Sequence, residues 1–305
     1  MRGRTGVRQL VPSVIATVIG LGVVLTACAS DSASSEPVSA PDAVTTTTVA
    51  VVAPPSTSTS TTSTSTTTTS SSTTTTTIAI PDSPGPLDFD AAVVGLGRSV
   101  EGRPIVAERF GTPGGRRVLV IGVIHGDEDA GSAILDDLRS EPVPDGVELW
   151  VVDSMNPDGQ AAQVRQNANG VDLNRNFPDS WGPIGVPGDS EYAGTGPASE
   201  PETQAIVNLV DQLRPDITIW YHQDLFVISP AKGREGRIRQ RYAELTNWPM
   251  GGISGGTYTG IAATWARHAL ADQDGVAFIV ELGPTLSPED AALHADAIRT
   301  IGVEG

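Results

Sequence analysis

Two histidines and two glutamates in this chain are spaced so that they could hold and use a metal ion. His125 and Glu128 follow the uncharged run VLVIGVI, in the stretch IHGDEDAG. A gap of three residues in a strand-to-helix turn brings imidazole and carboxylate back to one point, and zinc takes that pair of donors. A catalytic zinc needs three protein ligands and one position left for water. His222, closing ITIWYH, is the third donor, and Glu281, closing AFIVE, is the free carboxylate placed to take a proton from that water. Alone, His-x-x-Glu would equally serve as a polar cap on a buried strand. Its company at other strand ends makes it half of a metal site.

Those strand ends follow from the hydrophobic pattern. Residues 105–109, 118–124, 149–153, 217–221 and 277–280 read as strands, and 118–124 has no polar side chain, as expected for a strand covered on both faces. Residues 130–139, 199–213, 236–246, 261–271 and 288–301 read as helices, the second opening on a Ser199/Glu202 capping box. Strands alternating with helices predict an α/β domain: a mixed, largely parallel central sheet with helices on both faces. In such open sheets ligands bind beyond the carboxyl ends of the strands. His125, Glu128, Asn156, His222 and Glu281 all fall there. Between 159 and 197 lies an aperiodic stretch rich in Asn, Gly and Pro, a length of loop that compact domains keep for function. It contains Arg165, Asp172, Asn174 and Arg175, and its arginines suit a carboxylate or an oxyanion. His268 and His294 sit in amphipathic helical patterns and read as surface or helix-flank residues. Asp127 and Asp129 read as solvent-facing or helix-capping.

Only part of the 305-residue chain can fold this way. Arg2, Arg4 and Arg8 precede a charge-free apolar stretch ending in Leu-Thr-Ala-Cys28, which reads as a bacterial lipoprotein signal over residues 1–28, with Cys28 as the lipidated residue. A secreted chain or an uncleaved signal anchor is the alternative. Residues 29–85 contain no aromatic residue and include 22 consecutive serines and threonines at 56–77. Such a tract has nothing apolar to bury against the entropy of ordering, so it reads as a disordered tether of roughly 40 to 45 Å. Residues 86–305 are left as one catalytic domain of ordinary size, with every Trp and His of the chain. One cysteine allows no internal disulfide. The net charge of −17 argues against nucleic acid and leaves any bound carboxylate to local arginines.

Taken together, His125-x-x-Glu128, NPDG at 156–159, GVDLNRNF at 170–177, the strand ending in His222, FIVE at 278–281 and SVEGRPI at 99–105 resemble the zinc metallocarboxypeptidase family over residues 95–285, with the bacterial murein peptide amidase branch as the nearest form. That branch cuts the γ-D-glutamyl–meso-diaminopimelate bond. The resemblance implies one Zn2+ per chain on His125, Glu128 and His222, with Asp172 hydrogen-bonded to the far nitrogen of His125. It implies Glu281 as general base and Arg165 as the partner of the oxyanion. Asn174 and Arg175 would hold the carboxylate beside the scissile amide, and Tyr258 would be the mobile-loop tyrosine. The segment 261–264 carries no charge and so names no preferred side chain. The implied partner is a peptide, drawn from the cell wall, acted on by a monomer held to the outer face of the cell membrane through its lipid anchor.

Two rival readings remain on the sequence. His-Gly-x-Glu and Asp-Leu-Asn-Arg also resemble zinc deacylases of the aspartoacylase and succinylglutamate desuccinylase type, whose small cytoplasmic N-acyl amino acids fit poorly with an export signal. A wall-binding protein with a vestigial site is the third, and it has no missing catalytic residue to support it.

Overall fold

A computed structural model describes residues 78–253 and 258–305. The signal segment, Cys28 and the Ser/Thr tract to Thr77 lie outside the described residues. In chain order the elements are β1 (Val93–Arg98), β2 (Pro104–Gly111), β3 (Arg116–Val123), α1 (Gly131–Ser140), β4 (Val147–Ser154), α2 (Pro157–Ala162), α3 (Pro201–Leu213), β5 (Ile217–Gln223), α4 (Gly233–Thr246), α5 (Ala262–Ala269), β6 (Val276–Leu282) and α6 (Pro288–Glu304). Short 3-10 turns occupy Leu173–Arg175 and Ala271–Gln273.

The six strands lie in the order β1-β2-β4-β3-β5-β6. Pairings β3–β4, β3–β5 and β5–β6 are parallel, while β1–β2 and β2–β4 are antiparallel. The mixed, largely parallel sheet is therefore as the pattern predicts. Side chains alternate across the pleat. Val118 and Val120 enter a core with Ile134, Leu135, Tyr242 and Ile298, from α1, α4 and α6. Leu119 and Ile121 enter a second core with Ile206, Leu209, Ala262 and Trp265, from α3 and α5. Burial on both faces explains why 118–124 could carry no polar residue.

Local chemistry accounts for the departures from the pattern. β1 escapes a sequence reading because its run, VVGLGR, contains two glycines and a bulge between Gly95 and Gly97. A Cβ at Gly95 would lie 2.3 Å from the carbonyl oxygen of Ala79, so close approach of the preceding chain requires the glycine. α2 is short, opened by Pro157 and by the Asn156 side chain accepting from Gly159 N. The capping box at Ser199 does not form. The N-cap of α3 is Glu200, while the Glu202 carboxylate accepts from Val100 N and from the Asn167 amide. His294 is likewise no surface residue: it is fully buried, with its Nδ1 2.7 Å from the Tyr242 hydroxyl, itself 2.6 Å from that of Tyr221. His268 is exposed and paired with Asp179. Asp127 and Asp129 are both exposed, and neither side chain caps α1.

Candidate metal centre

The register of the sheet assembles the site. β3 and β5 are neighbours, so the turn after β3 places His125 and Glu128 beside the end of β5, where His222 stands. On the far side, His222 is the register partner of Glu281 on β6. Neighbouring strands are about 4.8 Å apart. Two residues 59 positions apart in the chain are thus adjacent because β5 and β6 run parallel and in step.

One ligand atom from each of His125, Glu128 and His222 lies within 4.8 Å of the others. His125 Nδ1 is 2.9 Å from Glu128 Oε1 and 3.1 Å from His222 Nδ1, and His222 Nδ1 is 3.0 Å from Glu128 Oε2. Two ring nitrogens and a carboxylate converging on one point is a donor set that suits zinc, which His125, Glu128 and His222 would hold. The other nitrogen of His125, Nε2, is 3.0 Å from Asp172 Oδ1, which leaves Nδ1 as the metal-facing atom. Gln223 N donates to Glu128 Oε2, and the Gln223 side chain accepts from Ala130 N, so the turn after β3 is tied to the end of β5.

The electrostatics separate the acids. Burial would raise the pKa of Glu128, but hydrogen bonds from His125 and His222 hold it far below the usual carboxylate range. Burial also opposes ionisation of Asp172, and the His125 ring, Arg165 and Arg175 overcome it. Glu281 goes the other way. Burial, reinforced by the negative charge of Glu128, pushes its carboxyl up to about 7. Its Oε2 is buried with no hydrogen-bond partner. A carboxyl poised near neutrality with a free acceptor atom is what proton transfer at neutral pH requires.

The loop expected to matter does line the site, in a cavity of about 480 Å³ with His125, Glu128, His222 and Glu281. Arg165 donates to Asp172 Oδ2 through Nε and Nη2 and to Glu128 Oε1 through Nη1, so its guanidinium sits beside the metal donors. Asn174 accepts from Ala262 N, and its amide nitrogen is 3.4 Å from His222 Nε2. Arg175 lines the cavity but turns one nitrogen to Glu191 at 2.5 Å, leaving its buried Nε without a partner. Tyr258 lies on the rim, 58 % exposed. Asn156, at the end of β4, does not reach the cavity. Its amide donates to the carbonyls of Ile124 and Arg165, clamping the turn after β3 to the loop. Asp158 is tied by Ser99 and Arg103, which explains the pairing of the SVEGR and NPDG stretches.

Two arginines that no local pattern singles out also line the cavity: Arg239 on α4 and Arg267 on α5. Charges spaced along amphipathic helices look like solvated faces, and only the packing of α4 and α5 against β6 brings these two to the cavity.

Comparisons with known proteins agree with this geometry. Residues 90–229 match the family model described as zinc carboxypeptidase. Murein peptide amidase A from Escherichia coli strain K12 is 33% identical over 165 residues, which cover 50% of this chain and 64% of that protein. The chain therefore spans somewhat under two-thirds of that relative. The crystal structure of murein-tripeptide amidase MpaA from Escherichia coli O157 superposes with a TM-score of 0.55 at 26% identity, covering 70% of this chain and 93% of that one. Carboxypeptidase A from Helicoverpa armigera shares the fold at a TM-score of 0.61 and 20% identity, over 70% of this chain and 67% of that one.

Proposed function

On the premise that the chain carries a zinc carboxypeptidase domain, we propose that it is a zinc-dependent amidase or carboxypeptidase that hydrolyses a peptide or γ-glutamyl amide bond next to a free carboxylate. The single observation that carries the reading is the convergence of His125, Glu128 and His222 in one cavity with the partnerless carboxyl oxygen of Glu281. A bound zinc would supply Lewis acidity and a water acidified to near neutrality.

The rest of the chemistry belongs to the chain. Glu281, at the end of β6 beside His222, takes the proton of the attacking water and returns it to the leaving nitrogen. Arg165, anchored on Asp172, presents its guanidinium where the carbonyl oxygen gains charge. Asn174 and Arg175, both lining the cavity, hold the substrate carboxylate. Asp172 keeps His125 in the tautomer that binds metal.

The substrate source and location are part of the same proposal. A basic, apolar leader ending at Cys28, followed by a Ser/Thr tether, supports an enzyme anchored by lipid to the outer face of the membrane and working on cell-wall peptides as a monomer. Among the described residues no helix is long and apolar enough to cross a membrane. Digestion of purified muropeptides by the zinc-loaded protein, with the fragments identified by mass, tests the reading. Release of a fragment with a new amine at the cut amide supports it. Intact muropeptides after prolonged digestion by a zinc-bound, folded protein would overturn it.

A further inference from the structure

Side chains alternate along β5, so Tyr221 enters the core with α4 and α6 while His222, next to it, faces the other way. Tyr221 begins a row of polar aromatic groups in that core. Its hydroxyl is 2.6 Å from that of Tyr242 on α4, which is 2.7 Å from Nδ1 of His294 on α6. The His294 ring packs edge to face with Trp248, centroids 4.6 Å apart. Trp248 Nε1 donates to the main-chain carbonyl of Glu281 at 2.8 Å. The row thus starts one residue from a metal donor and ends on the acid that faces it across the sheet register. All four side chains are buried among aliphatic residues, where polar atoms are costly. His294 Nε2 has no hydrogen-bond partner at all. Apolar side chains of similar volume would avoid that cost.

The carbonyl of Glu281 is held twice. It also accepts from Val227 N at 3.0 Å, and Val227 O accepts from Glu281 N at 3.1 Å. This bridge covers the edge of β6 that β5 leaves free. Phe226, one residue earlier, donates its N–H to Leu282 O and stands at φ 50°, a left-handed conformation that bulky side chains rarely adopt. Its ring packs against Trp248, centroids 4.3 Å apart. Trp248 therefore touches the strained segment through Phe226 and the polar row through His294. Ile228 N donates to Pro249 O and Gly251 N to Ile228 O, so the chain after Trp248 is fastened to the same segment.

We propose that Trp248 is a positioning residue for Glu281: its indole N–H fixes the main chain of the general base, and His294 and Tyr242 fix the indole. This role rests on the hydrolase reading above. It gives the buried row a task. The carboxyl that moves the proton projects from a main chain held on one edge by β5 and on the other by Val227 and Trp248. Rates depend steeply on such placement, a displacement of ~1 Å costing about a hundredfold.

Kinetics of the full-length, zinc-loaded protein on muropeptides test the role in a double-mutant cycle. Trp248→Phe, which keeps an aromatic ring and loses the N–H, should lower kcat by about tenfold with KM and zinc affinity unchanged. In a Glu281→Gln background the same substitution should have no further effect, because the base it positions is gone. Equal losses in both backgrounds, or a kcat unaltered in a folded Trp248→Phe, overturn the role and leave the hydrolase reading standing. Loss of zinc affinity alongside kcat also overturns it, since the metal donors would then have moved. Amide hydrogen exchange gives a readout that needs no substrate. Exchange at Val227 and Glu281 should quicken by about tenfold in Trp248→Phe, while Val120 in β3 stays as in the wild type. A wild type that cuts no muropeptide overturns the hydrolase reading. Quickened exchange at those two amides then still supports Trp248 as the holder of the Glu281 main chain, and unchanged exchange overturns that as well. Should Trp248→Phe fail to fold, benzothienylalanine at position 248, with sulfur in place of the N–H, decides in its stead.

Discussion

Glu281 and Asp172 are both buried carboxyls near the same ring of donors, yet their surroundings push them in opposite directions. Asp172 faces cations and stays ionised. Glu281 is largely buried and faces Glu128, and its pKa rises from an ordinary 4.5 to about 7. Between those values the folded, metal-free domain holds a proton that the unfolded chain has released, so its stability falls as pH rises through that window. Glu281→Gln lacks this loss. In chelator, the melting temperature of the variant should gain on that of the wild type from pH 5 to 8, and a constant difference would refute the raised pKa. The same variant should lower kcat by about a hundredfold to ten-thousandfold while still binding one zinc, checked by metal analysis beside kinetics. Asp172→Asn should weaken zinc binding by about 10- to 100-fold, read by competition with a chelator, because the far nitrogen of His125 loses its carboxylate.

At the scale of elements, the site depends on how closely the turn after β3 approaches α2. A Cβ on Gly126 would fall 1.9 Å from the carbonyl carbon of Gly159, a backbone atom that cannot yield. Gly126→Ala should therefore move His125 and Glu128 off the metal point and cost about 1–3 kcal/mol in denaturant unfolding, as overpacking does. An unchanged unfolding midpoint together with full zinc affinity would show that the two turns are free to separate. β5 and β6 contribute differently: their in-step parallel pairing alone sets His222 against Glu281. The long aperiodic loop acts as an element too. Asn167, Asp172, Asn174 and Asn176 are buried in it and hydrogen-bonded to Val171 N, His125, Ala262 N and Ala193 O in turn, so it is held by side chains where a helix would be held by its backbone.

For the molecule as a whole, the acidic body and its cationic cavity divide two tasks. A net charge of −17 discourages contact with anionic polymers at long range, while the arginines along one cavity offer local capture of carboxylates. The proposed lipid anchor makes a prediction at this scale. Expressed in a bacterium, the wild-type protein should sediment with membranes and need detergent for release, whereas Cys28→Ala should leave that fraction. Wild-type protein recovered from the cytosol would refute the anchor.

Sequence alone was enough for the sheet class, four of the parallel-sheet elements and the His125, Glu128 and His222 cluster that the structure brings together. Hydrophobic period marks a strand buried on both faces, and polar residues at its end stand out against it. β1 stayed hidden because glycines interrupt its pattern, and the Ser199 cap because Glu202 found partners on another segment. His294 is hidden for the same reason: a ring in a helical pattern looks exposed until Tyr242 and Trp248 close over it. Only the tertiary structure decided which way α4 and α5 turn Arg239 and Arg267. Those charges face the cavity because α4 and α5 both pack against β6, a contact between distant segments that no local pattern records.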